Sequence, residues 1–488
     1  MFIENERRQI AAAGKIMKNT IYKLLTLLSI TTTTIFAQTN SGIEGNWLGT
    51  LDAGGAKLRL VVKISKSPDG AFVARFDSPD QGATDLPIDS ITQKERSVSF
   101  GAARFGISFE GALNEKGDEI AGTFRQGAAS LPLVFKRAGE IEKPKRPQTP
   151  QKPFPYKEEE VTFKNAKDNV KLAGTLTAPA GDGKFPAVIL ITGSGAQDRD
   201  ETIYGHKPFL VLADYLTRRG VAVLRVDDRG VGGSDAGAST ATSENFAEDV
   251  LAGIEFLKSR REIDPEKIGL VGHSEGGMIA PMVAARSKDV AFIVLMAGLG
   301  QTGEDVIYTQ TARLQKAEGA SEFMTGETVK AMKNALAILK AETDNKAVAA
   351  RITEALEKQK SAFNEEQKKQ FEAVEKTIKA QIPMYTTAWF RYFVAFDPQP
   401  VLKKVKVPVL AVNGENDLQV AAKENLDSID AALKAGGNKN VTILKFSKLN
   451  HLFQTSETGS PAEYQRIEET IAPAVLETIA NWILKNAK

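Results

Sequence analysis

The serine in Gly272-His273-Ser274-Glu275-Gly276-Gly277 is the residue of this chain best placed to act as a nucleophile. Before it, Lys267-Ile268-Gly269-Leu270-Val271 reads as a buried strand, and after it Met278 to Arg286 reads as a helix of small residues. A serine on such a strand-to-helix turn sits on strained backbone, and glycines at 272 and 276 remove side chains that would collide with neighbouring chain. Its hydroxyl needs a base, and the chain offers three histidines. His273 adjoins the serine on a tight turn, points elsewhere and reads as packing. His206, in Tyr204-Gly205-His206-Lys207-Pro208 ahead of a helical stretch, reads as a helix-start or surface residue. His451 is left as the base, on a loop just after the apolar run Val441 to Phe446.

A base of this kind needs a carboxylate to hold its tautomer and to stabilise the imidazolium that forms. The strand Val407 to Val412 runs into Asn413-Gly414-Glu415-Asn416-Asp417, which places Asp417 as the acid, with Glu415 as the competitor two residues earlier. Two backbone N–H groups must then face the developing oxyanion. One is expected from Glu275, the residue after the nucleophile. The other is expected from the loop Thr192-Gly193-Ser194-Gly195 after the core strand Ala187 to Ile191, from Ser194 or alternatively from Gly195.

Five segments in fixed order carry a resemblance: Ile191-Thr192-Gly193-Ser194-Gly195 with Asp198-Arg199-Asp200, Leu224 to Ser234, Gly272 to Gly277, Val412 to Val420, and Asn450 to Gln454. From about Val161 onward the chain resembles the α/β-hydrolase superfamily, and within it the EstD-type carboxylesterases grouped with serine aminopeptidase-like hydrolases. The resemblance implies a mostly parallel, doubly wound sheet and hydrolysis of short- to medium-chain carboxylic esters through an acyl-enzyme on Ser274. It also implies that Asp227 to Ser234 braces the C-terminal edge of the sheet and takes no part in catalysis. An aminopeptidase with the same triad is the alternative, and Asp198, Asp200, Glu201 and Glu275 are the acids that could bind a free α-ammonium.

Net charge is +2, with 63 Lys+Arg against 61 Asp+Glu, so no basic excess points to nucleic acid. The absence of cysteine removes disulfides, thiol catalysis and thiolate metal sites, and three scattered histidines make a zinc site a poor expectation. No glycine-rich dinucleotide or phosphate-binding signature appears, so no cofactor is expected. The expected partner is a small-molecule ester, and the sequence does not fix the oligomeric state.

The basic stretch Met17 to Lys23, the apolar Leu24 to Ile30 and the approach to Ala37 read as a secretory signal over residues 1–37, with Met17 as the true start. This apolar run is too short for a membrane span, and export to the periplasm or beyond the cell is expected. Residues 42–138 alternate in short runs broken by turns such as Ser67-Pro68-Asp69-Gly70, the pattern of a small all-β barrel-like domain. Its opening, Gly45-Asn46-Trp47-Leu48-Gly49, is similar to the first strand of small lipocalin-like barrels. The domain reads as a packed accessory unit, or else as an apolar ligand pocket that would give the protein a binding rather than a catalytic role. Residues 139–157 read as a Pro-rich linker, too polar to pack and stiff enough to space two domains. Residues 158–488 form the expected catalytic domain. Within it, residues 301–398 show helical periodicity, as in Ala331, Ala335, Ile338 and Leu339, and read as a lid. Trp389 and Phe390, in the aromatic cluster closing that insertion, are the expected substrate-pocket residues.

Overall fold

The structure is a computed structural model that describes residues 42–53, 56–79, 83–127, 129–139 and 145–487. The signal segment and the start of the linker lie outside the described residues.

The chain divides into two compact units. Among the described residues, the N-terminal one is a curled antiparallel sheet of nine strands, β1 (Gly45–Ala53), β2 (Ala56–Lys66), β3 (Phe72–Ser78), β4 (Ala83–Pro87), β5 (Ser90–Lys94), β6 (Ser97–Ala102), β7 (Ile107–Leu113), β8 (Glu119–Gln126) and β9 (Ala129–Ala138), in the order β4-β3-β2-β1-β9-β8-β7-β6-β5. Alternation sends Trp47, Phe100, Phe109 and Phe135 to one side, where all four are buried. Phe109 stacks on Phe100 at 5.0 Å between centroids and meets Phe135 edge-on at 5.2 Å, so aromatic rings fill the concave face of the sheet.

The second unit is built on an eight-stranded sheet in the order β10-β11-β13-β12-β14-β15-β16-β17. The first three strands in that order, β10 (Lys157–Asn165), β11 (Val170–Ala178) and β13 (Ala222–Val226), run antiparallel to their neighbours among them. From β13 onward the sheet is parallel through β12 (Phe185–Ile191), β14 (Ile263–His273), β15 (Phe292–Met296), β16 (Val409–Gly414) and β17 (Val441–Phe446). The central strands read as unbroken apolar runs because helices cover both faces. Ile189, Leu270, Leu295 and Ala411 point to one core, with helices α2 (Ser243–Lys258) and α3 (Glu275–Ala284). Leu190, Val271, Val294 and Leu410 point to the other, with α1 (Pro208–Thr217) and α11 (Pro473–Asn486). The fold is that of an α/β-hydrolase.

Between β15 and β16 the chain forms a helical insertion: α4 (Gly303–Ala317), α5 (Glu322–Ala341), α6 (Asn345–Ser361), α7 (Glu365–Tyr385), α8 (Ala388–Ala395) and the short α9 (Gln399–Leu402). Most are capped as helix propensity requires: the side chains of Thr302, Ser321, Asn364 and Thr387 each accept a first-turn N–H. After β16 comes α10 (Ala422–Ala435). Among the described residues no helix is long and apolar enough to cross a membrane.

The described part of the linker departs from the expectation of a free spacer. Arg146 donates to the carbonyls of Tyr204, Gln465 and Ile467 at 2.8, 2.8 and 3.0 Å, and Gln148 accepts from the N–H groups of Thr470 and Ile471. Polarity is what docks this segment, because its side chains satisfy loop carbonyls and amides of the catalytic unit that would otherwise be unpaired.

Candidate active site

The triad and oxyanion-hole residues Ser274, Asp417, His451, Ser194 and Glu275 each lie just beyond the C-terminal end of a strand of the second sheet, or on the helix that follows, the edge where open α/β sheets bind ligands, while Trp389 and Phe390 come from the insertion. Ser274 ends the β14 turn at φ 53°, ψ −114°, a conformation that costs a non-glycine residue about 1–3 kcal/mol. The turn is held by the Ser274 N–H donating to Met296 O at 2.8 Å and the Gly277 N–H donating to Ser274 O at 2.9 Å. A Cβ at Gly272 would strike the Gly276 carbonyl, and one at Gly276 would strike the Ile191 carbonyl, so only glycine fits either position.

His451 Nδ1 lies 2.8 Å from Asp417 Oδ2, with both residues buried. The other oxygen of Asp417 accepts from the N–H groups of Gln419 and Val420, at 2.8 and 2.9 Å, so the carboxylate cannot rotate away. A carboxylate on Nδ1 keeps the proton there and leaves Nε2 as the basic nitrogen. Glu415, the competing acid, instead pairs with Lys445 Nζ at 2.9 Å on the surface.

Ser274 and His451 line one cavity of about 310 Å3, together with Ser194, Trp389 and Phe390. Gly193 is not free to bind substrate, since its N–H donates to Glu201 Oε1 at 2.7 Å. The N–H groups of Ser194 and Glu275 have no protein acceptor among the described residues. Thr192 Oγ1 and the Gln197 N–H both donate to Asp228, at 2.7 and 2.9 Å, which clamps the Ser194 loop from behind. Burial pushes Asp228 up to about 7. Asp227 is spent on the backbone N–H and guanidinium of Arg199 and on the Gly233 N–H.

The side chain of Glu275 is buried. Its Oε1 accepts from Ser243 Oγ at 2.6 Å and from Trp389 Nε1 at 2.9 Å. Burial raises its pKa, against the pull of these donors and of the Ser194 hydroxyl. Trp389 therefore ties the insertion to the helix that starts at the nucleophile.

Two histidines differ from their sequence-based reading. His206 is fully buried rather than superficial, between Thr470 Oγ1 at 2.9 Å and Tyr464 O at 3.0 Å, and burial pushes it down to about 4. His273 does more than pack. Its Nδ1 lies 2.9 Å from Glu201 Oε1 and its Nε2 lies 3.0 Å from the His451 carbonyl. The carbonyl can only accept and an ionised Glu201 can only accept, so this geometry favours a proton on both ring nitrogens, the imidazolium form. Burial opposes that charge, but the Glu201 carboxylate outweighs it and the pKa is raised. A single ion pair thus fixes the turn before Ser274, the loop of Gly193 and the loop of His451.

In the sequence Glu201 reads only as one of the acids that could bind a free α-ammonium, whereas in the structure it holds His273 and the Gly193 N–H. Glu201 sits at a positive φ of 53°, and no sequence pattern marks its pairing with His273. Replacing Glu201 with Gln is expected to lower stability by about 3 kcal/mol, since one partner of a buried pair is lost. It should also lower kcat by roughly 100-fold through misplacement of both loops, with KM little changed. Thermal melts and ester kinetics check this. Because His273 titrates above the ordinary value near 6.5, its share of the stability is complete below that pH and is lost as pH rises through the elevated folded-state value.

The parallel sheet, the serine elbow and the buried His–Asp contact together define an α/β-hydrolase. Residues 168–451 match the family model described as X-Pro dipeptidyl-peptidase (S15 family). The chain belongs to that family. It is 30% identical over 341 residues to esterase EstD of Thermotoga maritima, an alignment covering 68% of this chain and 69% of EstD. It is also 30% identical over 128 residues to the uncharacterised protein YfhR of Salmonella typhimurium, covering 26% of this chain and 40% of YfhR. Among solved structures, an esterase of Pyrococcus furiosus overlaps 71% of this chain and 99% of its own at 14% identity and a TM-score of 0.43. The chain is thus an EstD-type α/β-hydrolase, an enzyme of hydrolysis.

Proposed function

We propose that this enzyme is a serine carboxylesterase that cleaves short- to medium-chain carboxylic esters through an acyl-enzyme on Ser274. The observation that carries the reading is the 2.8 Å contact between His451 Nδ1 and Asp417, with His451 and the strained Ser274 facing one cavity. In the first half-reaction Ser274 Oγ attacks the ester carbonyl carbon while His451 Nε2 takes the hydroxyl proton. The negative oxygen of the tetrahedral intermediate is held by the N–H groups of Ser194 and Glu275. Collapse breaks the bond to the alcohol, which leaves with the proton returned by His451. Water then repeats the sequence on the acyl-enzyme, giving the carboxylic acid and free Ser274. Asp417 orients His451 and balances its transient charge, and Trp389 and Phe390 form one wall of the acyl site.

The acids that a peptidase would use to hold a substrate ammonium have other partners. Asp200 is paired with Arg225 and Lys207, Asp198 accepts the Asp200 and Thr202 N–H groups, Glu201 holds His273, and Glu275 holds Ser243 and Trp389. This favours esters over peptides with a free N-terminus. The direct comparison is hydrolysis of p-nitrophenyl acyl esters beside aminoacyl and X-prolyl nitroanilides. Ester turnover at least 100-fold above anilide turnover is expected, and anilide turnover alone would replace the esterase with a peptidase. Export through the segment ending at Ala37 is part of the same reading, and N-terminal sequencing of the mature protein checks it against Gln38 as the first residue.

A further inference from the structure

The cavity at Ser274 does not end at the catalytic residues. On its insertion side it is lined by Ile307 and Gln310 of α4 and by Met384 of α7. A second cavity, about 910 Å3 and open to solvent, lies between the same two helices. On α4 its wall continues with Thr311, Leu314, Gln315 and Glu318, the three- and four-residue steps of one helix face running on from Ile307 and Gln310. On α7 it continues from Met384 back through Gln381, Ile378 and Val374, again one face. Met324, Thr328 and Met332, successive turns of α5, also line it. The same helices thus line the catalytic cavity and, farther along, the groove, and the stretch from Ile307 to Glu318 spans about 16 Å.

The chemistry of the lining limits what can lie there. Although α7 is densely charged, among the described residues lining the groove the only charged side chain is Glu318, at the end farthest from Ile307 and Gln310. The remaining lining is aliphatic, thioether or neutral polar, and methionine side chains adapt to a flexible chain better than branched ones do. At the junction, Met384 is 38% exposed, a large apolar side chain kept in contact with solvent where a chain leaving the catalytic cavity would cross it. An anionic or cationic polymer finds no counter-charges along this path, whereas an extended hydrocarbon chain finds a partly dry one.

Resting on the esterase reading and extending its acyl range upward, we propose that the groove between α4 and α7 is a distal acyl subsite, so that besides short- and medium-chain esters the enzyme accepts longer, uncharged, unbranched acyl chains. The acyl half is the part that stays bound to Ser274 through both half-reactions, so contacts to it assist acylation and deacylation alike.

The test compares p-nitrophenyl butyrate, decanoate and laurate, each below its micelle concentration, on the full chain and on a variant carrying both Ala373→Trp and Thr377→Trp. Both positions are exposed on α7 and border the groove, so the indoles fill it without entering the core. In the unaltered enzyme kcat/KM is expected to rise about twofold per methylene beyond butyrate, half the logarithmic gain of full burial because the groove is open. The double variant is expected to keep butyrate turnover and to lose laurate turnover by tenfold or more. Gln315→Trp, from the opposite wall, is expected to act in the same direction and guards against a local distortion of α7. A laurate-to-butyrate ratio unchanged in both variants overturns the proposal, as does a length dependence that appears only when the alcohol chain of alkyl acetates is extended. Absence of butyrate turnover in the unaltered enzyme would instead sink the esterase reading, so the two failures are distinguishable.

Discussion

Replacement of Ser274 by alanine is expected to lower kcat on p-nitrophenyl butyrate by about a millionfold, leaving only the activity that oxyanion binding and positioning can supply. The cavity, the His451–Asp417 pair and the free N–H groups remain in the variant, so KM should change little. Stability is informative in the opposite direction. Ser274 occupies a backbone conformation that favours glycine, with φ at 53° and ψ at −114°. Ser274→Gly should therefore be inactive yet more stable than the parent by about 1 kcal/mol, measured by denaturant titration. The stability gain reports the strained backbone and the rate collapse reports the nucleophile, and a nucleophile held under strain shows both.

Asp417→Asn is expected to lower kcat by about ten-thousandfold with the fold intact. The reason lies in which atoms are already committed. Asp417 Oδ1 accepts the Gln419 and Val420 N–H groups, so an asparagine keeps its carbonyl oxygen there and turns its amide NH2 toward His451. An NH2 can only donate, which forces His451 to accept at Nδ1 and to carry its proton on Nε2, the nitrogen that must take the serine proton. Glu415→Gln, on the exposed residue that pairs with Lys445, should leave kcat within about twofold, because an exposed pair of this kind contributes little. Steady-state kinetics of the two variants side by side separate the acid from its competitor.

The elements of this site that were legible in the sequence are those written in short-range chemistry. Glycines flanking Ser274 exist because their neighbours are backbone carbonyls, and that constraint repeats at fixed spacing. The parallel strands are readable because burial on both faces removes polar residues from them. What escaped is long-range. Glu201, His273 and the His451 carbonyl meet only through the fold, and no local pattern marks a histidine whose two nitrogens both face acceptors. The contact between Trp389 and Glu275 escaped for the same reason: the helix bearing Trp389 was visible in the aromatic cluster, but the partner of its indole N–H is 114 positions away. The linker was misread because composition reports polarity without reporting whether carbonyls elsewhere need donors.

That Ser274 is the nucleophile is tested most directly by mass spectrometry of the intact and digested protein after reaction with an alkyl fluorophosphonate. One equivalent of label is expected on the peptide carrying Ser274, gained at the same rate as ester turnover is lost. Label on Ser194, the other serine lining the cavity, or full turnover in quantitatively labelled protein, would contradict it.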